Sequence, residues 1–427
     1  MAARDTPMAD TGPHARIAFF VGKGGVGKST LACAEAVRSA LSGQRVLVVS
    51  TDQAHSLGDV LGITVAPTGD IEPVRILTEE SGGASGGGHL DALALDTLAL
   101  VESAWRAAAP AVAARFPSSD LDDLAAEELS AMPGIQEVLG LHAVAQLAGS
   151  GRWDDVVVDC ASTADALRML TLPAALGHYL ERCWPRHRRL SSAVEDARSA
   201  AAVVLVEAAA STVGTLSALL TDTERVSAHL VLTPERVVAA EAKRTIGSLA
   251  LMGVAVTELI VNQVLFTDDS YEYRNLPDHP AFDWYAARIC EQEAVLDEIT
   301  ETVGDIKLVL VGHQAGEPIG PKALAQLLDH ARNTGAVAPP APLRPVVDRE
   351  SGDGVNAVYR MRLQLPHLDP GELTLGRAGD DLVIGVAGLR RRVRLAPVLR
   401  RCVVAGAALR GSELTVRFRP DPRVWPA

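Results

Sequence analysis

Two short apolar runs flank a helix-spaced segment near the start of the chain. "RIAFFVG" (16–22) and "RVLVVSTD" (45–52) are continuous β-rich runs. Between them, "KSTLACAEAVRSALSGQ" (28–44) repeats its apolar residues at helical spacing and ends near Gly43. That order predicts a βαβ unit, and hence a parallel sheet covered by helices on both faces. Further apolar runs, "DVVVDC" (155–160), "HLVLTP" (229–234), "TELIVNQVL" (257–265) and "IKLVLVG" (306–312), predict the other strands. Alanine- and leucine-rich segments at about 97–148 and 165–225 are helical in period and exceed what crossovers need. A helical subdomain drawn from about 97–225 is therefore expected on the sheet.

The pattern changes near "TGAVAPPAPLRPV" (334–346), where proline and alanine predict an interdomain linker. After it come short alternating runs, "AVYRMRLQLP", "ELTLGRAGDDLVIGVAG", "LRRRVRLAP" and "SELTVRFRP", separated by turn residues. They predict a small all-β sandwich over 347–420, following an α/β domain over 14–333. "SGGASGGGH" (81–89) predicts a flexible loop without chemistry.

Composition narrows the classes. A 427-residue chain with 48% apolar and 22% charged residues can bury a large core and is long for one domain. Its net charge of −13 argues against non-specific nucleic-acid binding, which needs a basic surface. The N-terminal "MAARDTPMADTGPHAR" has no apolar core and no run reaches the ~18 uninterrupted apolar residues of a membrane span, so a cytoplasmic protein is expected. Cys33, Cys160, Cys183, Cys290 and Cys402 form no C-x-x-C pair and are expected to be reduced, ordinary residues.

Residues 22–29, "GKGGVGKS", satisfy G-x-x-x-x-G-K-[ST] between a predicted strand and a predicted helix, the context that this phosphate-binding loop requires. Gly22, Gly24, Gly25 and Gly27 let the backbone curl so that successive N–H groups face phosphate oxygens, and the next helix adds its positive end. The motif gives Lys28 the β- and γ-phosphates and the Ser29 hydroxyl a Mg²⁺ ion. Val26 and Thr30 complete the nucleotide-binding stretch. Lys23 is an additional cation in a chain with only five lysines. With Lys28 already at the γ-phosphate, Lys23 is more useful across an interface, supplied in trans.

At this point the chain resembles the deviant Walker A ATPases, and "STDQAHSLGDVLG" (50–62), "PGIQE" (133–137), "DDVVVDCASTADALRMLTLP" (154–173), "TPERVVAAEAKRTIGSLALMGVAVTELIVNQVL" (233–265) and "EPIG" (317–320) select among them. It looks like the arsenite-pump ATPase and tail-anchored-protein targeting ATPase family, over about 14–332. The final region looks like the small-heat-shock-protein-like domain of bacterial members. The resemblance implies ATP and Mg²⁺ as cofactors and a homodimer with a membrane-protein partner or apolar client. It assigns Asp52 to water activation and the metal region, Asp159 to Mg²⁺ as a Walker B-type acid, Asn262 to adenine, and Glu235 to the nucleotide across the dimer. Lys23 joins Asp52 as a catalytic residue. His55 and Ser56 belong to the same switch segment, with His55 also readable as a structural residue.

The sequence departs from the family at Gln53, which replaces a proline, and at Ser162, Ala164 and Asp165, which replace proline, glycine and histidine. These changes bear on coupling of the second switch to hydrolysis, and they keep an ATP-binding chaperone with little turnover as the rival function. The zinc pair of eukaryotic targeting members and the metalloid-binding cysteine triad have no counterpart. Two stretches have two readings each. "LRRRVRLAPVLRR" (389–401) is either the wet face of a strand or an anion site, and "ALRMLTLPAALGHYLERCW" (166–184) either core packing or an open client groove.

Overall fold

The computed structural model describes residues 14–425 except 53–55, 70, 79–86, 116–133, 196, 267–278, 304–305, 335–344, 367, 369 and 387–388. Gln53, His55, Pro133, most of the glycine-rich loop and most of the linker therefore lie outside the described residues.

The chain runs β1 (Arg16–Val21), α1 (Lys28–Leu41), β2 (Arg45–Ser50), α2 (Ser56–Leu61), β3 (Pro67–Thr68), β4 (Val74–Thr78), β5 (His89–Leu95), α3 (Thr97–Arg115), α4 (Ile135–Ala148) and β6 (Asp155–Asp159). It continues through α5 (Thr163–Cys183), α6 (Arg186–Glu195), α7 (Ala197–Leu220), β7 (Val226–Leu232), α8 (Arg236–Met252), β8 (Ala255–Val264), α9 (Pro280–Val303), β9 (Lys307–Gly312), α10 (Pro321–Asp329) and β10 (Arg332–Thr334). These strands form one 10-stranded sheet in the order β10-β9-β8-β7-β1-β6-β2-β5-β3, with β4 paired to β5. The inner pairs are parallel; β10 on β9 and β4 on β5 are antiparallel.

Because helices cover both sides of the sheet at β1, both its faces must be apolar, and its residues divide by alternation. Ile17, Phe19 and Val21 enter the layer packed by α4, α5, α7 and α8. Phe20 enters the opposite layer with α1, α2 and α10. The sequence-based strand assignments hold for β1, β2 and β6 to β9; β5, interrupted by Asp91, and the short strands β3, β4 and β10 at the margins were not anticipated.

Helices α3 to α7 are the extra helices expected from the sequence. Arg189 of α6 is only 1% exposed and ties α5 to α7, its guanidinium donating to Glu181 and Glu207 at 2.6 Å each. Within α7, Ala202–Leu220 has a mean hydropathy of 1.8, and is long and apolar enough to cross a membrane by length and composition. Only 22% of that stretch is buried.

After residue 345, β11 (Val346–Ser351), β12 (Val358–Gln364), β17 (Glu413–Pro420) and β16 (Cys402–Arg410) form one antiparallel sheet, and β13 (Thr374–Ala378), β14 (Asp381–Val386) and β15 (Leu389–Arg394) another. Met361, Ile384, Val393, Val416 and Phe418 fill the space between them. Leu251, at the end of α8, belongs to this same core with 0% exposure. The arginine run is not all on the wet face. Arg391 shares the inward side of β15 with Val393 and donates from Nη1 to the Leu251 carbonyl at 2.9 Å, and burial pushes its pKa down to about 10.

Candidate nucleotide site

The loop 22–27 leaves the carboxyl end of β1, where parallel sheets place their ligands. Two glycines are demanded by what surrounds them. A Cβ on Gly22 would lie 2.3 Å from the Val231 carbonyl oxygen, so only glycine lets the loop pass over β7. Gly27 has φ of 88°, a left-handed conformation that disfavours side chains, and a Cβ there would lie 2.4 Å from Asn262 Nδ2. Helix α1 then starts at Lys28, aiming its first N–H groups into the loop.

The two loop lysines go to different places. Lys28 is buried, and its Nζ donates across the mouth of the loop to the Lys23 carbonyl at 3.1 Å. The Lys23 side chain is exposed. Ser29 Oγ lies 3.0 Å from Ser56 Oγ, joining the loop to α2 and the first switch segment. Thr30 follows in the first turn of α1.

Asp159 ends β6 in register with Phe20 on β1 and Ser50 on β2, which puts the acid beside the loop. Its side chain is fully buried. Oδ2 accepts a long bond from Ser50 Oγ at 3.4 Å, while Oδ1 has no hydrogen-bond partner. Burial pushes the Asp159 carboxyl up to about 6, opposed by the Ser29 hydroxyl, then by the Lys28 ammonium, and reinforced by the Asp52 charge. An orphaned, buried carboxylate oxygen next to serine hydroxyls and a second aspartate is an all-oxygen donor set, which fits a hard cation such as Mg²⁺. Asp52 lies just past β2, and its backbone N–H donates to Ser50 Oγ at 3.2 Å.

Asn262 is 8% exposed and donates from Nδ2 to the Val26 carbonyl at 2.9 Å. The resemblance gave it adenine alone; one of its N–H groups is instead used to brace the loop from β8. The brace is aimed by an irregularity in the strand. Gln263 has φ of 61°, which costs a non-glycine residue on the order of 1–3 kcal/mol. Gln292 of α9 holds that conformation, accepting from the Leu265 N–H at 2.8 Å and donating to the Gln263 carbonyl at 3.2 Å. Glu235 stands apart from this cluster. It precedes α8 at the N-cap position without a side-chain cap bond, is exposed, and pairs with Arg288 of α9 at 3.3 Å.

The altered second switch has a local physical reason. Ser162 is the N-cap of α5, its Oγ accepting from the Asp165 N–H at 3.2 Å and donating to Asp165 Oδ2 at 2.6 Å. This cap sets the helix start at Thr163, four residues after Asp159. Asp165 also pairs with Arg168. Thr51, Asp52, Glu137, Asp165 and Met169 line a cavity of about 310 Å³ between the two switches. Ser50 and Gln292 received no role from the sequence. Ser50 carried a faint signal, a polar residue ending an otherwise apolar strand; Gln292 carried none.

Comparisons with known proteins identify the family. Residues 15–331 match the family model described as anion-transporting ATPase. Residues 356–418 match the HSP20-like domain found in ArsA. The chain belongs to the anion-transporting ATPase family, and is a nucleotide-binding ATPase with an HSP20-like domain. Among its relatives, Protein Rv2184c of Mycobacterium tuberculosis is 66% identical over 98% of this chain and 100% of its own length. A Chlorobaculum tepidum homologue named arsenical pump-driving ATPase is 25% identical over 94% and 96%. An ATPase ASNA1 homolog of Cryptosporidium parvum is 31% identical over 59% and 66%.

Proposed function

We propose that the protein is a Mg²⁺-dependent ATP hydrolase that works in the cytoplasm as a nucleotide-switched homodimer, coupling turnover to an apolar client or a membrane partner. The observation that carries this reading is the division of labour between the loop lysines. Lys28 faces into the loop, whereas Lys23 is exposed and free to serve a neighbouring protomer. The backbone of Gly22, Gly24, Gly25, Val26 and Gly27 cradles the phosphates, with Thr30 behind it, and Glu235 would serve the nucleotide held by the partner protomer. Ser29, Asp52 and Asp159 would hold Mg²⁺, which supplies neutralisation of phosphate charge when bound. Asp52 orients the attacking water, and Lys23 from the partner protomer stabilises charge developing in the transition state. Support for an apolar client comes from α5 to α7, where Tyr179, Leu190 and Val194 are exposed, as is Val204 within the apolar stretch of α7.

The test is a pair of variants. Lys28→Ala is expected to abolish ATP binding. Lys23→Ala should keep binding within a few-fold and lose about 10²–10³-fold in turnover, the size expected for one transition-state donor. Light scattering should show a dimer with Mg²⁺ and a non-hydrolysable analogue. Equal loss of binding in both variants, or a monomer in every nucleotide state, refutes the proposal.

A second reading has its own observation. The Ser162–Asp165 cap pins the start of α5, and a pinned switch favours ATP binding with slow hydrolysis. Steady-state phosphate release separates the two.

A further inference from the structure

A groove of about 1000 Å³ lies between the helical subdomain and the C-terminal β-region. It is at the upper end of the ~300–1,000 Å³ range of small-molecule sites. Its apolar wall comes from Leu170 and Ala174 of α5, Leu220 of α7, Met252 of α8, Val383 of β14 and Leu389 of β15. Several hydroxyls on the same wall are turned away from the groove. Thr171 donates to the Leu167 carbonyl at 2.8 Å, Ser217 to Val213 at 2.9 Å and Thr221 to Ser217 at 3.2 Å. These residues satisfy their own helices and show carbon to a ligand.

The charge of the groove is of one sign. Arg182, Arg390, Arg391 and Arg392 line it, and no carboxylate does among the described residues. This occurs in a chain whose net charge is −13. Arg391 is rooted on the Leu251 carbonyl. The carboxylate nearest Arg392 is Asp381, 3.9 Å away. Arg182 and Arg390 are exposed and form no ion pair among the described residues.

We propose that this groove binds an anionic amphiphile, a carboxylate carrying one long acyl chain. The head would meet the arginines and the chain would cover the apolar wall. A bare phosphate would leave that wall wet. A peptide would bring backbone groups that the self-satisfied hydroxyls do not serve. The site is separate from the nucleotide loop and does not depend on the function proposed above.

The experiment titrates the full-length protein, without nucleotide, with oleate below its micellar concentration by calorimetry. Oleyl alcohol, inorganic phosphate and acidic phospholipid vesicles are run in parallel. Saturable binding of one oleate per chain is expected, at least tenfold tighter than oleyl alcohol. It should weaken at least tenfold in Arg182→Ala/Arg390→Ala, whose side chains are exposed, and be blocked by Ala174→Trp, with unchanged thermal melts. Equal affinity for the alcohol, binding confined to phosphate or to vesicles, absence of binding, or indifference to both variants overturns the proposal.

Discussion

The Asn262–Val26 bond can be removed without touching a phosphate contact, so Asn262→Ala separates loop bracing from adenine recognition. Val26 and Asn262 are 3% and 8% exposed, so water cannot readily replace the lost donor. A hydrogen bond is worth roughly 0.5–1.5 kcal/mol, and an orphaned buried acceptor costs about 1–3 kcal/mol. The variant should therefore lose about 1–3 kcal/mol in the urea transition of the nucleotide-free ATPase region. If the brace also preorganises the loop, ATP and inorganic tripolyphosphate should both bind roughly tenfold more weakly, since about 1.4 kcal/mol is a factor of ten. Calorimetry with both ligands and urea melts by circular dichroism measure this directly. Weakened ATP binding with unchanged tripolyphosphate binding and unchanged stability would refute the brace and leave adenine contact as the role of Asn262.

Glu258 provides a pH test. Burial alone would raise its pKa, but His229 across from it and the Lys307 ammonium at 2.6 Å outweigh burial and hold it at about 2, against an ordinary 4.5. The carboxylate therefore stabilises the fold above about pH 4.5 and loses that contribution as pH falls through 2, so Glu258→Gln should cost about 2–3 kcal/mol at pH 7 and little near pH 2. Ser162→Pro/Asp165→His removes the cap on α5; phosphate release should rise several-fold while stability falls by about 1 kcal/mol, and unchanged turnover would show that the cap does not restrain the switch. A chain ended near residue 340 would expose Leu251 and Met252. It should bind ATP but need Leu251→Lys to stay monodisperse in size-exclusion chromatography. Loss of ATP binding with either residue at 251 would mean the two regions share an indispensable core.

Six strands of the inner sheet, β1, β2 and β6 to β9, were legible as continuous apolar runs, whereas β5 is interrupted by Asp91 and was not anticipated. The phosphate loop was legible because its glycines and Lys28 fall at a fixed spacing after β1. Placement of Asp159 followed from the β6 run, as the acid that ends it. What stayed hidden depends on contacts distant in sequence. Nothing near Asn262 announces that its amide will meet a carbonyl 236 residues earlier. Nor does anything near Gln292 show that it will hold Gln263 in a left-handed conformation. The two readings of the β15 arginines stayed open because period-2 alternation says which side a residue takes and not what covers that side. Here α8 covers it, and Arg391 turns inward to the Leu251 carbonyl. Ser162 and Asp165 looked like losses from a motif, yet together they make a helix cap that local spacing alone could have suggested.

Helix α8 starts at Arg236, just past the strand whose Val231 carbonyl lies against Gly22, and ends with Leu251 inside the β-core. Over 17 residues it spans about 25 Å as a rigid rod. The β-region is thus keyed to the ATPase region by a buried leucine and a rooted arginine, independently of the peptide leading into it. Covalent continuity through residues 335–344 becomes redundant once the fold has formed. Gene fission at that point would be tolerated: two separately encoded fragments should find each other and assemble into one working particle.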